Sequence, residues 1–213
     1  MSIYFNQFRQ FLAQYGYTET DIDQLVNLSK VVEFSKGEII IKGGVIQNEI
    51  YFICKGIVRN YFFSEDGQIC TCGFRMENMT STGYSNYNHA ENLKAKLSVE
   101  CLEDCVMIQV PLNAVKYMLE NCTNGERVGR NLAEYHVMEL IDFIMDKETK
   151  SILERYYNLD KKFPNIHQRV PQHIIASYLS TTPVHLSRLK NAKRESLTFV
   201  NKSINLKMLK ESR

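Results

Sequence analysis

The sequence predicts an α+β chain in three parts. These are an N-terminal antiparallel β-barrel or jelly roll with flanking helices (1–110), a helical connector with a long dimerisation helix (111–146), and a C-terminal winged helix-turn-helix (147–213). Three observations predict it. Short β-branched and aromatic runs punctuated by glycine fill the stretch from Val31 to Val110. Helical periodicity returns after Pro111 and holds to Asp146. The segment QHIIASYLSTTPVHLSRLKN (172–191) then sets two short apolar-periodic pieces on either side of STTP.

The first residues alternate at helical spacing, with Phe5, Phe8, Leu12 and Tyr15 on one face. Gly16 ends that helix, and Thr18 with Asp21 opens a second one carrying Ile22, Leu25 and Val26. From Val31 the runs EIIIK, EIYFICKG, IVRNYFF and QICTCGF are separated by Gly37, Gly43–Gly44, Gly56 and Gly67. EDG at 65–67 is a hairpin turn. Short strands continuing to LSVECLEDCVMIQV (97–110) predict an antiparallel barrel or jelly roll.

Leu112, Val115, Tyr117, Met118 and Leu119 suit a short helix ending near Asn121. A long helix follows from about Gly125 to Asp146, with an apolar stripe wide enough to pack on its own barrel and on a partner subunit. Val128, Leu132, Tyr135, Met138 and Ile141 are the expected dimer-helix positions. KETKSILERYYNLDKKF forms a further helix before Pro164, and SLTFVNKSINL near the C-terminus has the strand-like run and polar turn of a small wing.

The net charge of +2 hides an asymmetry: residues 147–213 hold 14 Lys and Arg against 5 Asp and Glu, a surplus of +9, and leave −7 on residues 1–146. The C-terminal third is therefore expected to meet a polyanion, although charge does not separate DNA from RNA or a membrane surface. The helix pair is more selective. A helix-turn-helix needs a small residue where its second helix crosses the first, and apolar residues at fixed places on both. Ala176 is the small residue, with Ile175 and Leu179 before the turn and Leu186 and Leu189 after it. Thr182 caps the second helix, with Pro183 at its first position. The outward face is then Thr182, Pro183, Val184, Ser187, Arg188 and Asn191. Arg188 can pair with guanine O6 and N7, and Val184 can touch a thymine methyl. Gln172 joins this face, while His173, His185, Lys190, Lys193 and Lys202 suit phosphates. The turn position that favours glycine holds Ser180, at a cost of about 1 kcal/mol if its φ is positive.

This order of parts resembles the Crp–Fnr family of bacterial transcription regulators. The resemblance rests on FSKGEIIIKGG (34–44), EIYFICKGIVRNYFFSEDG (49–67) and RVPQHIIASYLSTTPVHLSRLK (169–190). It implies a cyclic-nucleotide-type barrel, a dimer helix and a winged reader. The family's base-reading positions fall on Pro183, Val184 and Arg188, of which Arg188 alone keeps a residue type that the best-known members use. The family's phosphate cassette, Gly-Glu-Leu followed by Arg-Ser/Thr-Ala, is degenerate: STGYSNYNHAENLKAK precedes the next strand, with Ala95 and Lys96 where Arg and Ser/Thr belong. A guanidinium fork is thus missing, and cyclic AMP binding of the usual kind is not expected. Tyr84, Lys94 and Lys96 mark a weak effector pocket for an unknown small molecule.

The expected function is that of a homodimeric, sequence-specific DNA-binding regulator on palindromic double-stranded DNA, with RNA polymerase as a further partner. The alternative is a ligand- or redox-sensing interaction protein whose helix pair binds protein. An enzyme is not expected, because the five histidines lie near no HExxH, GxSxG or P-loop pattern, and His167 and His173 suit solvated or phosphate-facing roles. No cofactor or metal is expected: the six cysteines form no CxxC pair, and none precedes Cys54, as an iron–sulfur cluster of this family would need. The longest apolar run, IYFIC (50–54), is too short to span a bilayer, and the N-terminus lacks a signal pattern, so a cytoplasmic location is expected.

Overall fold

A computed structural model describes residues 2–82 and 94–193. Two helices lead, α1 (Ile3–Gln14) and α2 (Glu19–Asn27). The α2 start is fixed as its sequence implies, by a capping box in which the Thr18 side chain accepts from the Asp21 amide and Asp21 accepts from the Thr18 amide. Eight strands follow: β1 (Lys30–Phe34), β2 (Ile39–Ile41), β3 (Glu49–Lys55), β4 (Val58–Phe63), β5 (Ile69–Arg75), β6 (Thr80–Ser81), β7 (Ser98–Cys101) and β8 (Cys105–Pro111). They form two antiparallel sheets, ordered β1-β8-β3-β6 and β2-β7-β4-β5. The EDG turn joins β4 to β5, with Gly67 at φ +77° and its amide on the Ser64 carbonyl.

Alternation within the strands divides the apolar residues among three cores. Ile41, Tyr51, Ile53, Val58, Val99, Cys101 and Met107 come from both sheets and fill the space between them. Phe52, Cys54, Ile108 and Val110 project from the other face of the first sheet, where Phe8, Leu12, Ile22 and Leu25 of α1 and α2 cover them. Ile57, Phe74, Met76 and Leu102 belong to a third core shared with the C-terminal helices.

Beyond Pro111 come α3 (Leu112–Asn121), α4 (Gly125–Thr149), α5 (Ile152–Lys162), α6 (Ile166–Arg169) and α7 (Gln172–Tyr178). A last helix, α8, covers 183–193. The α3–α4 junction needs a glycine, because a Cβ on Gly125 would collide with the carbonyls of Met118 and Leu119. The helix expected as one piece from Lys147 is divided. α4 runs on to Thr149, and Ser151 starts α5 with a second capping box, Ser151 with Glu154. Of α4, only Gly125 and Val128 are buried. Tyr135, Met138, Leu140, Ile141, Ile144 and Met145 are all at least 40% exposed, an apolar surface left largely uncovered by the described residues. No helix among the described residues is long and apolar enough to cross a membrane.

Candidate nucleic-acid interface

The helix pair is built on the spacing read from the sequence. Ala176 is fully buried, and Ile174, Ile175, Leu179 and Leu186 close around it in one core. Leu189 is half-buried. The chain leaves α7 through a Schellman motif: the Thr181 amide donates to the Ala176 carbonyl and the Ser180 amide to the Ser177 carbonyl, each at 3.0 Å. Ser180 is the left-handed residue of that motif, at φ +56°. Thr182 then caps α8, its hydroxyl accepting from the His185 amide at 3.1 Å.

This geometry presents Thr182, Pro183, Val184, His185, Ser187, Arg188 and Asn191 at the surface, Val184 at 61% exposure. Gln172 and His173 are exposed at the start of α7. Lys190 and Lys193 lie on the flank that meets α5, their ammonium groups 4.8 Å and 4.5 Å from the ring centroids of Tyr156 and Tyr157. His167 differs from its expected solvated role. It stacks on Tyr156 at 4.1 Å, and burial, only partly offset by Asp160, holds its pKa below the usual imidazole value. Lys202 and the expected wing fall outside the described residues, as does Tyr84.

Three contacts that the sequence did not single out join this unit to the sheets. Arg169 reaches Glu77 with both terminal nitrogens (2.8 and 3.0 Å) and Glu103 through Nε (3.2 Å), which raises the arginine pKa. The Ser177 hydroxyl donates to the Ile69 carbonyl and accepts from the Thr71 amide, both at 3.0 Å, and so docks α7 on the edge of β5. Phe74 packs against Phe163 and Tyr178. At the same junction Glu139 of α4 meets Arg75 of β5 at 3.0 Å, Lys162 of α5 at 3.1 Å and His136 at 3.4 Å. Burial alone would raise the Glu139 pKa, but the hydrogen bond with His136 and the charges of Arg75 and Lys162 win and lower it to about 2.

Of the expected effector positions, Lys94 and Lys96 are among the described residues, and neither is buried between the sheets. Ala95 is 3% exposed and packs in that inner core, whereas Lys94 and Lys96 on either side of it are exposed. The sequence from residue 76 to residue 126 holds no arginine. Arg59, in β4, is engaged by Glu100 at 2.6 and 2.9 Å.

Among known proteins, residues 31–122 match the cyclic nucleotide-binding domain family, over somewhat less than half of the chain. No curated protein matches the sequence. Among solved structures, a Crp/Fnr-family transcriptional regulator from Eubacterium rectale superposes with a TM-score of 0.68 at 14% identity, covering 84% of each chain. The c-di-GMP-responsive global regulator CLP of Xanthomonas campestris gives 0.64 at 12% identity over 84% of this chain and 94% of its own. FixK2 from Bradyrhizobium japonicum gives 0.61 at 17%, over 79% and 86%. At such identities the likeness is one of fold. The chain thus carries a domain matching the cyclic nucleotide-binding family, set in an α+β fold shared with Crp/Fnr-family regulators.

Proposed function

We propose that the protein is a sequence-specific DNA-binding transcription regulator that works as a homodimer, and that its sheet domain does not bind cyclic AMP in the usual way. The observation that carries this reading is α8. Leu186 fully buried beneath it and Thr182 capping it hold a helix whose opposite face offers Val184, Ser187, Arg188 and Asn191 to a partner. That is the donor and methyl-contact chemistry a major groove accepts. The +9 surplus of residues 147–213 supplies the phosphate attraction. Dimerisation is supported by the uncovered apolar face of α4, and with it a two-fold DNA site. The lack of any arginine in the sequence from residue 76 to residue 126 argues against a bound cyclic phosphate.

Selection from a genomic fragment pool tests the reading. The wild-type chain should enrich a palindromic site and lose affinity steeply with salt, while Arg188→Ala should lose that site and keep its oligomeric state. Failure to enrich any two-fold site, with binding indifferent to salt, overturns it. Contact with RNA polymerase belongs to the same proposal and is tested by co-elution on the selected promoter fragment.

A further inference from the structure

Outside the space between the sheets lies a cavity of about 400 Å³, within the range of roughly 300–1,000 Å³ typical of small-molecule sites. Its walls come from the outer face of the first sheet, from α1 and α3, and from one side of α4, with Phe11, Phe52, Val115 and Leu132 as principal surfaces. The pocket is predominantly apolar and opens to solvent beside the exposed Ala133, the form small-molecule sites take. Its polar groups are few. Thr80 of β6, which pairs with Phe52, and Thr82 just beyond that strand are in the wall, and His136 looks in from α4. Tyr17, also in the wall, has its hydroxyl pKa pushed up to about 12, mainly by burial, which agrees with a poorly hydrated space.

We infer that this cavity is a binding site for a small neutral amphiphile, an alkyl or aryl body with one hydroxyl or carbonyl end, and that it is the effector site of the protein. The regulatory half of this statement rests on the function proposed above; the binding half does not. Two arguments fix the occupant. A partner helix seated on Met138, Ile141 and Met145 would not fill the cavity: at about 100° per residue, those side chains lie on the opposite side of α4 from Leu132 and His136. A carboxylate head would not suit it, because no Lys or Arg is among the described residues of the wall to pair with it, and His136 is already engaged by Glu139 at 3.4 Å. Through that same Glu139, which also holds Arg75 of β5 and Lys162 of α5, the cavity wall is joined to the helices that carry the reader.

The test uses the full chain with 1-aminoanthracene as a fluorescent probe, displaced by decan-1-ol or decanoate. Probe emission should rise on binding, decan-1-ol should displace it at least about tenfold better than decanoate, and Met138→Glu should keep probe binding. Ala133→Trp at the exposed mouth, or Leu132→Trp inside, should each weaken the probe about tenfold or more while melting as cooperatively as wild type. Amide exchange with decan-1-ol should change in residues 128–136 and again in 152–178. No emission rise, equal displacement by the two competitors, wild-type affinity in both tryptophan variants, or loss of probe binding in Met138→Glu would overturn the site. Exchange changes confined to 128–136 would overturn its role as effector site, whatever the outcome of DNA selection.

Discussion

Ser180 offers a sharp test of how the α7–α8 pair is built. It sits at the left-handed position of the Schellman motif, φ +56°, with its side chain exposed and its amide committed to the Ser177 carbonyl. A non-glycine residue in this conformation carries a penalty of roughly 1–2 kcal/mol from its Cβ against the following carbonyl. Replacing it with glycine removes the penalty but loosens the unfolded chain, which costs about 0.4–1 kcal/mol. Ser180→Gly should therefore stabilise the fold by about 0.5–1 kcal/mol, since no side-chain contact is lost. For a chain of this size that is an increase in Tm of roughly 1–4 °C. Ser180→Val should move the other way, because a β-branched residue fits this region worst. Calorimetry or denaturant titration at constant m measures both. A glycine variant less stable than wild type, or a valine variant equal to it, would refute the assigned turn geometry and with it the crossing of α7 and α8.

Other expectations follow from the same contacts. Arg188→Ala should cost about 1–3 kcal/mol of specific DNA binding, while Lys190→Ala, whose ammonium lies over Tyr156, should show a smaller loss together with some loss of stability; gel-shift titration and thermal melts separate the two. Leu186→Ala, at a fully buried site, should destabilise by about 2–5 kcal/mol in chemical denaturation. Glu139 is ionised more readily in the folded state than in the unfolded one, so its contribution is present above the ordinary carboxylate range and fades as pH falls from about 4.5 toward 2. Glu139→Gln should cost roughly 1–3 kcal/mol at neutral pH, allowing for partial solvent screening, and should flatten the acid limb of a stability–pH curve. Met138→Glu should shift sedimentation from dimer to monomer, because it places a charge in the uncovered face of α4.

Patterns confined to neighbouring residues were legible in the sequence, and pairings across distance were not. Thr18 with Asp21, the EDG turn, and Ala176 with Leu186 each act within about ten residues, where spacing alone implies geometry. Arg169 reads as one more basic residue of a basic tail, yet its partners Glu77 and Glu103 lie 92 and 66 residues upstream. Lys190 and Lys193 display their charge in the sequence, but not the tyrosine rings of α5 over which their ammonium groups lie. Val128 and Leu132 share the apolar stripe of α4 with Tyr135, Met138 and Ile141. The structure turns the first two toward their own chain and leaves the other three exposed, a division set by where α1 and α3 stand. The cavity itself had no signature, since its walls are drawn from residues that each read as ordinary core.

The junction between the sheets and the C-terminal helices constrains how the two could move against each other. Ile57, Phe74, Met76 and Leu102 share a single core with Tyr156, Phe163, Ile175 and Leu186, so the C-terminal helices are no freely tethered module in this conformation. Releasing them would expose that apolar surface, break the Ser177 bonds to the β5 edge and pull Arg169 away from Glu77 and Glu103. Each exposed side chain of that size costs about 1.5–3 kcal/mol, so wholesale undocking exceeds what one small ligand with differential affinity could drive. A shift that slides α4 and α5 against the sheets while keeping the shared core closed demands far less. Glu139 lies where such a shift would be felt, because its three partners come from β5, from α5 and from α4 itself.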